Sequence, residues 1–157
     1  MNPVDKLGLN TALSKARKSY LEGGIPIGSA LVCHGSLDDA GEAIVLGTGH
    51  NERIQKSSAI LHGEISALQD AGRLKAGVYS KCTMYTTLSP CNMCTGAILL
   101  YKIPRVVIGD NTNWVGGEDL LKSRGVEVIV VGDDECRDLM SRFIQEKPEE
   151  WNEDIGV

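Results

Sequence analysis

Residues 82–109 read CTMYTTLSPCNMCTGAILLYKIPRVVIG, and their order decides the fold. Residues 82–87 are rich in β-branched and aromatic side chains, as a strand requires. Ser89-Pro90 breaks that run. The apolar stretch that follows predicts a helix to about Tyr101, with Ser89 as N-cap and Pro90 at the first position. Residues 105–109 then form a short apolar strand. Strand, helix, strand at this spacing is a crossover that sets two parallel strands side by side with the helix over one face. A further apolar run at 126–131 extends the pattern. A last long helix begins at Asp133 or Asp134, turns Leu139, Met140, Phe143 and Ile144 inward, and stops at Pro148.

Upstream the pattern changes. Asn2-Pro3 has the form of an N-cap and first helical residue. Leu9, Leu13, Ala16 and Tyr20 share one helical face, and Gly23-Gly24 ends that helix. Residues 29–33 and 43–48 read as strands joined by the loose turn HGSLDDAGE, which predicts an antiparallel hairpin. Residues 50–61 are a loop, and 62–72 a helix ending at Gly72. The expectation is a single α/β domain over residues 1–157. Its mixed sheet has about five strands, with the first hairpin antiparallel and helices on both faces.

The composition is that of an ordinary globular chain, with 42% hydrophobic and 24% charged residues. No run approaches the length of a membrane span, and residues 1–20 lack a signal peptide's apolar centre. The net charge of −5 disfavours general phosphate-backbone binding. Five cysteines, an odd number, fit reduced thiols in a cytosol-like compartment. Cys33, Cys82 and Cys136 stand singly and read as buried small hydrophobes.

The other two cysteines, Cys91 and Cys94, fall in the opening turns of the helix after Pro90, on one face. A helix N-terminus favours thiolate over thiol, and two neighbouring thiolates need a cation between them. Cys-x-x-Cys after a strand also fits a dithiol redox motif or half of a structural zinc site. The upstream His62-Gly63-Glu64 weighs against both. A redox pair has no use for a histidine and a glutamate at another helix start, and no second Cys or His pair is present to close a structural site. Three candidate ligands plus a free carboxylate fit a catalytic zinc with an open position for water. Gly63 between them leaves its backbone N–H accessible.

His-x-Glu followed by Pro-Cys-x-x-Cys is the signature of zinc-dependent nucleobase deaminases. The likeness extends over most of the chain. Glu22-Gly-Gly-Ile-Pro-Ile-Gly28, Gly49-His-Asn51, Leu61-His-Gly-Glu64, Thr86 to Ala97 and the ending Trp151-Asn-Glu-Asp-Ile-Gly156 together resemble the fungal cytosine deaminases of the cytidine and deoxycytidylate deaminase superfamily. That resemblance implies a homodimer of three-layer α/β/α subunits with one Zn2+ each, held by His62, Cys91 and Cys94. It implies Glu64 as proton shuttle. Asn51, Asp154 and the Gly63 amide would hydrogen-bond the base, Ile27, Leu88, Trp114 and Trp151 would wall the pocket, and Ser89 would lie beside the substrate. The tail, 148–157, would close over the site. Trp114 departs from the family, which has Phe there.

The implied reaction is hydrolysis of free cytosine to uracil and ammonia in pyrimidine salvage. A metal-activated water displaces the C4 amine, while Glu64 takes the water's proton, passes it to ring N3 and then helps the amine leave. Taken singly, Trp151 reads as a tail anchor, Asp154 as surface, Asn51 as a turn residue and Trp114 as a loop plug. His34 and His50 are expected to do no chemistry. The expected partners are cytosine, 5-substituted cytosines and a second copy of the chain, with neither nucleic acid nor membrane. The helix over 93–101 and the Val106–Ile108 strand are the candidate dimer surfaces. The expected compartment is the cytoplasm, with the nucleus also open to it. Two alternatives stand beside this. One is another superfamily deaminase acting on guanine, a nucleotide or transfer-RNA adenosine. The other is a non-catalytic zinc-binding domain.

Overall fold

The computed structural model describes all 157 residues. Asn2 caps α1 (Pro3–Leu21) by accepting the Asp5 amide at 2.7 Å, with Pro3 in the first turn where its missing N–H costs nothing. Two strands follow, β1 (Gly28–Cys33) and β2 (Ile44–His50), paired antiparallel with a bulge at Leu31/Val32. Next come α2 (Gly63–Ala71), closed by Gly72 at φ +78°, and a single turn, α3 (Ala76–Tyr79), absent from the sequence-based expectation. β3 (Cys82–Leu88), α4 (Asn92–Leu100) and β4 (Arg105–Asp110) form the expected crossover. The chain continues through α5 (Glu118–Ser123), β5 (Glu127–Val130), α6 (Asp134–Glu146) and α7 (Pro148–Asp154).

The five strands lie in the order β2-β1-β3-β4-β5, with β3, β4 and β5 parallel and β1 antiparallel to both neighbours. The two-residue period of the strands divides the core. Leu31, Met84, Val106 and Ile108 face α4 and α5, where Ile98 and Leu121 meet them. Ala30, Val32, Tyr85 and Val107 face α1, meeting Val4, Leu9 and Ala12. The result is the expected three-layer arrangement. Close approach of α1 depends on Gly28, because a Cβ there would stand 1.9 Å from the Ala12 carbonyl oxygen.

Three expectations need correction. Ser89 does not cap α4. Cys91 is the N-cap, and its sulfur accepts from the Cys94 amide at 3.5 Å. The Ser89 hydroxyl instead donates to Glu118 at 2.6 Å and accepts from the Gly116 amide at 2.8 Å. Pro148 stops α6 but also opens α7, because proline is favourable in a first turn. The Val106–Ile108 strand cannot be a dimer surface, since all three residues are fully buried between the helical layers.

Candidate active site

Two helix N-termini converge at one end of the sheet. His62, in extended conformation at φ −68° and ψ 163°, is the N-cap of α2. Cys91 holds the same place on α4, at φ −68° and ψ 176°. The extended cap residue turns each side chain out of its helix and toward the other. His62 Nδ1 lies 3.3 Å from Cys91 Sγ, and the donor atoms of His62, Cys91 and Cys94 all fall within 4.8 Å of one another. Tetrahedral zinc bonds of about 2.0–2.3 Å place donors a little under 4 Å apart, so a small inward movement closes the set on an ion. One neutral imidazole and two thiolates balance a divalent cation.

The donors' electrostatics without metal fit this use. The Cys94 thiol beside Cys91, and then His62, bring Cys91 down to about 4 against the opposing effect of burial. Cys94 is pushed up by Cys91 and by burial, so one proton stays with the sulfur pair. Burial works against charging His62, but the Cys91 sulfur, Asp154 and Glu64 raise it to about 9. Positive charge therefore gathers beside the thiolate, where a metal would replace the protons.

Glu64 is buried in the first turn of α2, and its Oε1 accepts from the Thr86 hydroxyl of β3 at 2.6 Å. Burial raises its pKa, while the Thr86 hydrogen bond pulls the other way. A carboxyl whose hold on a proton is strengthened by burial, and whose direction is fixed by a hydrogen bond, is suited to taking up a proton and passing it on. The Gly63 amide opens α2 and has no acceptor in the chain. A Cβ on Gly63 would lie 3.0 Å from Ser29 Oγ and 3.2 Å from the Ile27 carbonyl oxygen.

The C-terminal helix α7 brings Asp154 to the same place. Its Oδ1 accepts from Asn51 Nδ2 at 2.8 Å and lies 3.3 Å from His62 Nε2 and 3.8 Å from Arg53. Burial raises the Asp154 pKa, against the pull of His62, Asn51 and Arg53. Asn51 is fully buried and doubly engaged, since its Oδ1 also accepts from the Arg53 amide at 3.0 Å. A cavity of about 250 Å³ opens beside these groups, bordered by His62, Cys91, Met93, Trp114, Asp154 and Ile155. Trp114 and Trp151 meet edge to face at 6.2 Å. Ile27, Leu88 and Trp151 form an apolar cluster against which Trp114 packs.

The structure brings His62, Cys91, Cys94, Glu64, Asn51 and Asp154 together and sets Trp114 at the cavity, whereas Ile27, Leu88 and Trp151 pack against Trp114 without bordering the cavity, and the Ser89 side chain is engaged by Glu118 and Gly116. Thr86, Arg53, Met93 and Ile155 were missed. Thr86 alone carried a signal, since it follows Met84 at strand period and precedes the Ser-Pro break. His34 lies outside the site against Thr83. His50 is buried, with Nε2 3.5 Å from Glu22.

Comparison with known proteins gives a consistent result. The family model "Cytidine and deoxycytidylate deaminase zinc-binding region" matches residues 3–110. A cytosine deaminase of Candida albicans is 63% identical over 152 residues, covering 97% of each chain. A tRNA-specific adenosine deaminase of Streptococcus pyogenes is 35% identical over 114 residues, covering 72% of this chain and 67% of the relative. Among solved structures, the dCMP deaminase of cyanophage S-TIM5 has a TM-score of 0.59 at 23% identity, covering 83% of this chain and 100% of that one.

Proposed function

Because the chain belongs to the cytidine and deoxycytidylate deaminase family, we propose that it hydrolyses free cytosine to uracil and ammonia, with Glu64 as the proton carrier. The observation that supports this most directly is the gathering of three zinc donors at two helix starts, with a buried carboxyl on the next turn. The family is zinc-binding, and the His62, Cys91 and Cys94 donor set fits one Zn2+ per chain.

When bound, zinc supplies a Lewis acid that lowers the pKa of a coordinated water. Thiolate ligands donate electron density and soften that effect, so a neighbouring base is needed. Glu64 takes one proton of the water as its oxygen bonds C4 and delivers it to ring N3, then takes the second proton from the hydroxyl now on C4 and delivers it to the amine as the C4–N4 bond breaks. Thr86 fixes the carboxyl's direction through both transfers. The Gly63 amide donates to the ring carbonyl and Asn51 meets the same edge. Asp154 keeps one oxygen on Asn51, and its other oxygen accepts from the exocyclic amine. Trp114 and Trp151 provide the flat wall. Any contact of Ser89 with the base comes from its backbone.

The tail from 148 closes the cavity, with Trp151 as its anchor and Asp154 as its contact. The chain pairs with a second copy through α2 and α4. Met93, Leu100 and Tyr101 are exposed there, beside an apolar groove of about 680 Å³ that includes Ile65, Leu68 and Leu74. No helix is long and apolar enough to cross a membrane. Five free cysteines fit a reducing compartment such as the cytoplasm.

The test is ammonia release from equal concentrations of cytosine, cytidine, guanine and adenosine-bearing transfer RNA. Cytosine is expected to be turned over and the others not. Turnover of one of the others in place of cytosine would reassign the substrate within the family. No turnover of any by zinc-loaded protein would favour a non-catalytic zinc-binding domain.

A further inference from the structure

Cys33 closes β1 and Cys82 opens β3, and the two residues are direct partners in the antiparallel register. The His34 amide donates to the Lys81 carbonyl at 3.1 Å, so the adjacent pair is a hydrogen-bonded one. Antiparallel pairs alternate, which puts Cys33 and Cys82 at a non-hydrogen-bonded position. There the α-carbons approach to about 4.5 Å and side chains on the shared face are closest. That spacing lies within the roughly 4.4–6.8 Å over which two cysteines can be bridged. The contact is felt chemically, since burial and the neighbouring Cys33 push the Cys82 thiol up to about 12. Both thiols are free, Cys33 half-buried and Cys82 buried. The one cluster of three metal-donor side chains is His62, Cys91 and Cys94, so these two sulfurs lack the third donor of a metal site.

We propose that Cys33 and Cys82 form a reversible cross-strand disulfide, a redox modification site separate from the metal centre. Cys33, the more accessible thiol, gives up its proton and attacks a small-molecule disulfide such as oxidised glutathione, expelling one small thiol. Cys82 then gives up its proton, and its sulfur displaces the second small thiol from Cys33. Two protein thiols are oxidised to one disulfide, and one small disulfide is reduced to two thiols. The raised Cys82 pKa makes the second step the slow one. The bond leaves the catalytic end untouched, because Thr86, which holds Glu64, pairs with Ser29 at the other end of the same ladder.

The experiment uses zinc-loaded protein held in oxidised glutathione, alkylated, and digested with trypsin and chymotrypsin. Cleavage after Lys81 and Tyr85 separates Cys82 from Cys91 and Cys94. The expected product is a Cys33 peptide joined to a Cys82 peptide, lighter than the two reduced peptides by two hydrogens. It should be reversed by dithiothreitol and accompanied by unchanged bound zinc. Cys33→Ser should give no such product. Cys82→Ser should instead retain glutathione on Cys33, because the resolving sulfur is gone. Full alkylation of both wild-type thiols would overturn the proposal. So would a persistent glutathione adduct on wild-type Cys33 with Cys82 alkylated, or a Cys91–Cys94 disulfide formed in its place with loss of zinc.

Discussion

Asp154 and His62 meet across an imidazole ring, with Oδ1 3.3 Å from Nε2, while Nδ1 of that ring faces the Cys91 sulfur at 3.3 Å. A carboxylate on the far nitrogen fixes the tautomer and orientation of a metal-binding histidine. On the proposed reading, Asp154 would serve zinc as well as substrate. Asp154→Ala is expected to weaken zinc binding by roughly 10–100-fold, measured by competition with a chromogenic chelator. Unchanged affinity would mean that the ring is held without it.

Gly63 leaves its neighbours no slack. The Ile27 carbonyl that a new Cβ would meet at 3.2 Å already accepts the Asn51 amide at 2.8 Å. Gly63→Ala should therefore displace the Gly63 amide and Asn51 together, lowering kcat/KM for cytosine by roughly tenfold to a hundredfold. Zinc content should be retained. Wild-type kinetics would show that the Gly63 amide does not hold the base.

Trp151 joins the tail to the body. It is 6% exposed and packs with Ile27, Leu88 and Phe143. Trp151→Ala should cost about 3–5 kcal/mol of stability, read from urea unfolding. Truncation after Pro148 should shift KM and kcat together, because enclosure and product release depend on the same segment. Full activity of the truncated chain would contradict a closing tail.

A buried carboxylate away from the site supplies a pH dependence of stability. Asp5 accepts a bidentate pair from Arg105 at 2.6 and 2.8 Å, and the Tyr85 hydroxyl at 2.7 Å. Burial opposes its ionisation, but Arg105 and Tyr85 prevail and its pKa falls below 3.8. A depressed folded pKa gives stability that is fully present above the unfolded value and is lost as pH falls through the folded one. Urea midpoints should therefore drop as pH falls from the ordinary carboxylate value toward the depressed one. Asp5→Asn should remove most of this dependence and cost about 3–5 kcal/mol at neutral pH, since it leaves the buried Arg105 with only the exposed Glu127, 3.4 Å away, as a charged partner. An equally steep acid loss in that variant would place the titration elsewhere.

The sheet was readable because its signals are local. The β-branched and aromatic residues of 82–87, the apolar run at 105–109 and the break at Ser89-Pro90 each report on neighbouring residues, and the crossover follows from their order. The zinc donors were readable because His-x-Glu and Cys-x-x-Cys carry their spacing with them. Asn51, Trp114, Trp151 and Asp154 have no such spacing. They meet through tertiary folding, and family resemblance alone raised them above ordinary surface or turn residues. The cap on α4 was misassigned because serine at a helix start outcompetes cysteine on propensity, whereas here Ser89 is drawn to Glu118 and the cap falls to Cys91. α3 is too short for a periodic signal. The Asp5–Arg105 pair left no trace, since a hundred residues separate its members.

Glu64→Gln is the most direct test, because the amide keeps the shape of the side chain but cannot carry the proton. The variant should fold, bind zinc as the parent does, and release no ammonia from cytosine beyond background. Ammonia release at the parental rate, from protein of equal zinc content, would contradict Glu64 as the proton carrier.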